Sequence, residues 1–324
     1  MRSSTPLFLL VISCAAGQNA PPRLPTCDAA EHHQFDFWAG NWEVKSGNET
    51  VGYSRIEKAL HGCAIVENWT GVDGDTGKSL NFFDGSSSEW RQIYVGPNWN
   101  LDYHGKIAGS DMVFRSTRKL PDGRSFQLRL TFTPLPNGEV RQHKQRSADG
   151  DKWTEVYDFR YIRRSSEPPA VPAKAACTSG PSRQFDFWTG DWDVYVGNTL
   201  AGTNRVDRVV ADCLLFENWI GSKGGEGKSF NFYDAERNEW RQVWVAPGGT
   251  LDLHGTFVDG ALRYTGETLR RDGSLVHQRL TFTPQPSGSV KQFWEQSTDG
   301  GTTWAVAFDG LYVPHGTKPP AIKD

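Results

Sequence analysis

No stretch of this chain approaches the ~18 consecutive apolar residues that a membrane-spanning helix needs. An excess of either charge is also missing: 35 Lys and Arg stand against 38 Asp and Glu, a formal net charge of −3. A nucleic-acid-binding surface needs clustered basic residues, so nucleic acid is not an expected partner. Catalytic and metal signatures are scarce as well. There is no GxSxG nucleophile elbow, and no CxxC or His-rich spacing of the kind that holds zinc, so no metal is expected. What the chain has instead is Trp (13) and Gly (34) within 324 residues. That length has room for two ordinary domains, and an aromatic, turn-rich composition favours β structure over helix.

At the N-terminus, Arg2 precedes the short apolar run PLFLLVIS, and Cys14 follows with small residues after it. This resembles a bacterial export signal. VISC also resembles a lipobox, in which Cys14 would become the lipidated first residue of the mature chain. The alternative is an ordinary signal cleaved slightly downstream. Residues 1–26 are set apart as leader, and a membrane enters only through a lipid anchor at Cys14.

The remaining cysteines are Cys27, Cys63, Cys177 and Cys213, and the second pair repeats the first 150 positions on. Four cysteines allow three connectivities. The repeat favours Cys27–Cys63 and Cys177–Cys213, each closing a loop of 36 residues, worth roughly 3–4 kcal/mol by chain entropy. Disulfides imply an oxidising compartment, hence export to the periplasm or, with a lipid anchor, to the outer membrane surface.

The same shift runs through most of the chain. QFDFWAGNW at 34–42 matches QFDFWTGDW at 184–192 in seven of nine positions, and RLTFTP at 129–134 recurs unchanged at 279–284. This is a tandem duplication, with copies at 27–162 and 177–313, a Pro-rich linker at 163–176 and a tail at 314–324. Within a copy, SFQLRLTFT at 125–133 alternates: Phe126, Leu128, Leu130 and Phe132 fall on one face, Gln127, Arg129, Thr131 and Thr133 on the other. That period marks a strand with one buried face. Roughly eight to ten such strands per copy, separated by turns such as Asp122-Gly123, predict one closed antiparallel barrel per copy. A β-sandwich is the competing arrangement.

Gly40-Asn41-Trp42 and Gly190-Asp191-Trp192, at the head of each copy, resemble the GxW motif of lipocalin and calycin barrels. The resemblance implies that the Trp plugs a closed end, preceded by a short helical turn. It also implies that Arg129 and Arg279 pack over Trp42 and Trp192. The full FDFWxGxW box, with VKQFWEQSTDGGTTW near the end, resembles a family of exported bacterial proteins with no established activity. STDGGTTW at 297–304 resembles the Asp-box of sialidases, a non-catalytic hairpin device in which Asp and Ser satisfy turn amides over a packed Trp. It occurs once per copy, which argues for a hairpin closing each barrel rather than for a sialidase propeller.

Polar residues kept by both copies are the candidates for chemistry: Asn68/Asn218, Asn81/Asn231, Arg91/Arg241, Gln92/Gln242, Asp102/Asp252, His104/His254, Arg129/Arg279 and Gln142/Gln292. Lys78/Lys228 is assigned to a Gly-Lys turn. Asp102 and His104 share a strand face, as do Asp252 and His254, so a general base or an axial haem ligand is one reading. A rim pair on the outer face is the other. No Ser or Cys kept by both copies completes a nucleophilic triad. Alternation groups Trp90, Gln92 and Tyr94, and separately Ser79 and Asn81, as walls of an apolar cup with a few placed polar groups. The second copy offers Trp240, Gln242, Trp244, Ser229 and Asn231. The expected protein is an exported tandem of calycin-like barrels that binds a small apolar or amphipathic molecule, with no cofactor required. A hydrolase or isomerase using Asp102/His104 and Asp252/His254 is the first alternative. A structural module with filled barrels is the second. Nothing in the sequence sets the oligomeric state.

Overall fold

A computed structural model of the chain describes residues 27–97, 99–120, 122–270 and 272–317; the leader, with Cys14, lies outside them. Each copy forms one closed ten-stranded antiparallel barrel. The first runs β1 (Gly40–Ser46), β2 (Glu49–Ala59), β3 (Ala64–Gly71), β4 (Thr76–Asp84), β5 (Glu89–Val95), β6 (Asn100–Ala108), β7 (Asp111–Lys119), β8 (Ser125–Pro134), β9 (Val140–Ser147) and β10 (Thr154–Arg163). Each strand bonds to the next, and β10 returns to β1 with Tyr161 opposite Val44. The second barrel repeats the order from β11 (Gly190–Val196) to β20 (Ala305–Pro314), closing with Tyr312 opposite Val194. Closure leaves no unpaired edge, which a sandwich would have. Ten strands are two more than lipocalins carry.

The aromatic box plugs one end of each barrel. Short 3-10 turns at Ala30–His33 and Asp36–Trp38 carry Phe35 and Trp38 inward, and both are fully buried with Trp42. Phe35 and Trp38 stack at 4.9 Å, and the Trp42 indole donates to the Trp38 carbonyl at 2.9 Å. Phe185, Trp188 and Trp192 repeat this in the second copy, with the same 2.9 Å hydrogen bond. The arginine over Trp42 is Arg163, 4.3 Å from the ring, and not Arg129. Gly40 makes room for it: its φ is 144°, and a Cβ there would meet the Arg163 guanidinium at 2.5 Å. Arg129 and Arg279 point outward on their strands and cover Trp153 and Trp304 of the Asp-box hairpins, at 4.3 and 4.2 Å. The stacking is of the expected kind, but alternation puts it on the outer face. In both hairpins the Ser hydroxyl donates to the box Asp and accepts a Gly amide.

The two disulfides join Cys27 to Cys63 and Cys177 to Cys213. Each ties the segment entering the plug to the loop after the second strand of its barrel. The linker is held as well, since Lys174 donates its amide to the Gly74 carbonyl at 2.9 Å and its ammonium pairs with Asp73 at 2.7 Å.

The barrels lie side by side. The outer faces of β3, β4 and β5 meet those of β13 (Leu214–Gly221), β14 (Glu226–Asp234) and β15 (Glu239–Ala246) in one apolar cluster. Ala64, Val66, Leu80, Phe82, Ile93 and Val95 face Leu214, Phe230, Phe232, Val243 and Val245 there, all buried. These strands are therefore covered on both faces, and this is why AIVENW and KSLNFF read as apolar runs with blurred alternation. Lys78 lies within β4 rather than in a turn, and its ammonium sits 4.5 Å over Phe216 of the other barrel.

Candidate functional site

Strand alternation on β4, β5 and β6 points Ser79, Asn81, Gln92 and Tyr94 into the first barrel, as it does Leu101 and Tyr103. These side chains converge on Glu67 of β3, which is 3% exposed. Ser54 donates to one carboxyl oxygen of Glu67 at 3.0 Å and Ser79 to the other at 2.9 Å. Asn81 donates to the Ser79 hydroxyl at 2.9 Å, and Gln92 to the Asn81 carbonyl oxygen at 2.7 Å. Burial pushes the Glu67 carboxyl up to about 7, against the partial opposition of the two serines. The second barrel builds the same ladder around Glu217, with Asn204 at 2.7 Å in place of Ser54, and Ser229, Asn231 and Gln242 following. Glu217 is likewise raised by burial to about 7.

Above Glu67 the first barrel is hollow. A cavity of about 150 Å³ is walled by the rings of Trp69, Tyr94, Trp99, Tyr103, Tyr157, Phe159 and Tyr161. Gln92, Gln142 and Lys144 add polar groups to this wall. The Tyr103 hydroxyl is buried without a hydrogen-bond partner among the described residues. A buried polar group left unpaired is costly, and this one borders empty space. The cavity continues past Trp99, Leu101 and Lys144 to the mouth of the barrel. Beyond Leu101 and Arg118 lies a broad surface groove that runs to Glu236 and Arg237 of the second barrel.

Tyr94 reaches its place by lying across a glycine. A Cβ on Gly77 would come within 1.9 Å of the Tyr94 hydroxyl, and one on Gly227 within 2.0 Å of the Trp244 ring. Gly77→Ala is expected to displace Tyr94 and to cost about 1–3 kcal/mol by overpacking, measured by urea unfolding. An unchanged midpoint would show that Tyr94 has freedom to move.

The remaining candidates fall elsewhere. Trp90 belongs to the plug: its indole donates to the Glu31 carbonyl at 3.0 Å and its ring meets Phe35 edge-on. Trp240 meets Phe185 edge-on in the same way, while its indole donates to Gln184 Oε1 at 3.2 Å. Asp102 and His104 face outward, because Leu101 and Tyr103 take the inner face of β6. His104 is half-exposed, 3.4 Å from Asp102 and 4.0 Å from Glu89, and His254 pairs with Glu239 at 2.8 Å. Neither imidazole enters a barrel, so neither is placed to hold a haem inside one.

Asp102 has stronger partners than His104. Arg91 holds it at 2.6 Å and Arg241 of the other barrel at 2.5 Å. Asp252 is held reciprocally, by Arg241 at 2.6 Å and by Arg91. Burial would raise both carboxyls, but the two guanidiniums prevail and hold them below the usual carboxylate range. The four residues form a closed ion network across the pseudo-two-fold between the barrels. Asp102 is thus an anchor of the interface rather than the orienting partner of a histidine base. Among the described residues no group of three or more His, Cys, Asp or Glu is arranged to hold a metal.

Sequence reasoning missed Glu67 and Lys144. Glu67 was visible as the shared Glu-Asn-Trp of β3 and β13, with Glu217 its copy. Lys144 differs between copies, its counterpart being Trp294, so a search for shared residues passes over it.

No family model and no curated protein matches the chain. One solved structure similar to it is a Bacteroides fragilis protein provisionally described as an outer membrane protein. It has 10% identity and a TM-score of 0.21, over 86% of this chain and 97% of that one.

Proposed function

We propose that this protein is an exported binding protein whose first barrel is a cup for one small amphipathic molecule. The observation that carries the reading is the aromatic cavity set over Glu67. About 150 Å³ is room for a single benzene-sized ring. Seven aromatic side chains supply its walls, and ligand pockets of this kind are mostly apolar with a few placed polar groups. The Tyr103 hydroxyl and the Glu67 carboxyl are among the polar groups a ligand would meet, with Gln92, Gln142 and Lys144. The two disulfides support an oxidising compartment, with the periplasm or the outer surface as its site of action. The second barrel keeps the carboxyl ladder but has Trp294 across the position of Lys144, so its occupant, if it takes one, differs.

Native mass spectrometry of the full chain purified from its own source tests this. The expected spectrum shows one small-molecule adduct per chain. Leu101→Trp, at the passage between mouth and cavity, is expected to remove it. An adduct-free wild-type chain whose melting temperature does not move with millimolar indole would overturn the reading.

A further inference from the structure

At three positions around its mouth the first barrel carries a cation where the second copy has a neutral residue. Lys144 lies on the inner face of β9 and is 9% exposed. Its ammonium stands 5.2 Å from the Trp99 ring and 5.6 Å from the Tyr157 ring. Among the described residues no carboxylate or hydrogen-bond acceptor engages it. A buried ammonium without a counter-ion is costly. Desolvation and, after it, the nearby Arg118 guanidinium lower it to about 8, which leaves it a cation at neutral pH. Arg118, which pairs with Glu236, and Arg146 stand around it at the mouth, together with Glu155, which pairs with His143. The corresponding positions of the second copy are all neutral: Thr268, Trp294 and Gln296. There the Trp294 indole takes the space and donates to Gln278 at 2.7 Å. The copies share the acid in the barrel interior, and these three positions carry cations only in the first.

A site with an unpaired cation at its entrance and a hydrogen-bonding acid deep inside takes a molecule with opposite ends. We propose that the ligand of the first barrel is a small aryl carboxylate. Its carboxylate sits on the Lys144 ammonium, its ring fills the aromatic cavity, and a hydroxyl or N–H at the far end points toward Glu67 and Tyr103. This rests on the ligand-cup reading and adds the charge and direction of what is bound. Lys is a point charge suited to a single anionic group, and Tyr and Trp walls accept a flat ring. A bound carboxylate would give Lys144 the partner that the protein withholds.

The test is calorimetric titration of the full chain at pH 7 with 4-hydroxyphenylacetate and with its methyl ester. The acid is expected to bind the wild type at least tenfold more tightly than the ester, and Lys144→Met to bring that ratio near one. Equal binding of acid and ester by the wild type overturns the charge assignment while the cup reading stands. A tenfold preference that survives in Lys144→Met overturns the role of Lys144. Binding of neither probe by the wild type overturns the aryl carboxylate and the one-ring cup together. Should Lys144→Met fail to fold, the wild-type ratio of acid to ester decides alone.

Discussion

Between pH 5 and pH 7 the protein is expected to become less stable, and Glu67→Gln with Glu217→Gln is expected to flatten that decline. Both carboxyls are fully buried and raised by burial to about 7, whereas an unfolded Glu titrates near ~4.3. In the interval the folded state keeps two protons that the unfolded state has released. Stability then falls with rising pH by about 1.4 kcal/mol per unit for each group. The loss begins above the unfolded value and levels off once pH passes the folded one. Lys78 and Lys144 are both lowered to about 8, so they stay charged below that and add no slope here. In the double Gln variant the serine hydrogen bonds can persist while the titration is gone. Urea unfolding at half-unit pH steps reads the effect. A flat wild-type profile would mean that Glu67 and Glu217 are ionised in the folded protein, with water or a cation beside them.

Arg241→Met is expected to destabilise the chain by about 3–5 kcal/mol, the usual consequence of removing one member of a buried charge network. Arg241 is 6% exposed and serves two carboxylates. Without it, Asp102 and Asp252 face each other across a single guanidinium, Arg91. Simultaneous replacement of all four by apolar residues of similar size removes the charges together and is expected to cost far less, because no charge is stranded. Guanidinium chloride unfolding of the single and quadruple variants makes the comparison. A quadruple variant as unstable as Arg241→Met would place the cost in packing rather than in stranded charge. The network also sets an acid limit. Its depressed carboxyls stabilise the fold above ~4, the unfolded Asp value, and that contribution disappears as pH falls through their folded values. With the Glu67 and Glu217 effect on the other side, stability is expected to peak near pH 4–5.

Much of the fold was legible because alternation is plain wherever one strand face meets solvent. Phe126 to Phe132 announced β8, and the repeated Cys, Phe and Trp positions announced two plugged, bridged barrels. The strands covered on both faces were harder. Val66, Leu80 and Ile93 contact the other barrel, and nothing local distinguishes them from core residues such as Ile65. That blurred β3 and hid Glu67 on its inner face. Arg91, Asp102 and their copies were recognised as kept in both halves. The reason is geometric: each half must supply both charges to a contact across a pseudo-two-fold. The sequence did not reveal that the halves meet there. Trp90 looked like a cup wall because it shares a face with Gln92 and Tyr94. Its depth along the barrel puts it in the plug instead, and alternation carries no information on depth. Lys144 lay on the one difference between copies that matters most for the cup.

A crystal structure of the full chain soaked with 4-hydroxyphenylacetate addresses the ligand cup most directly. The expected density is one molecule inside the first barrel, with its carboxylate at Lys144 Nζ and its hydroxyl directed to Glu67. An occupied surface groove above an empty first barrel, or a cavity collapsed by inward movement of Tyr94 and Trp99, would contradict the cup.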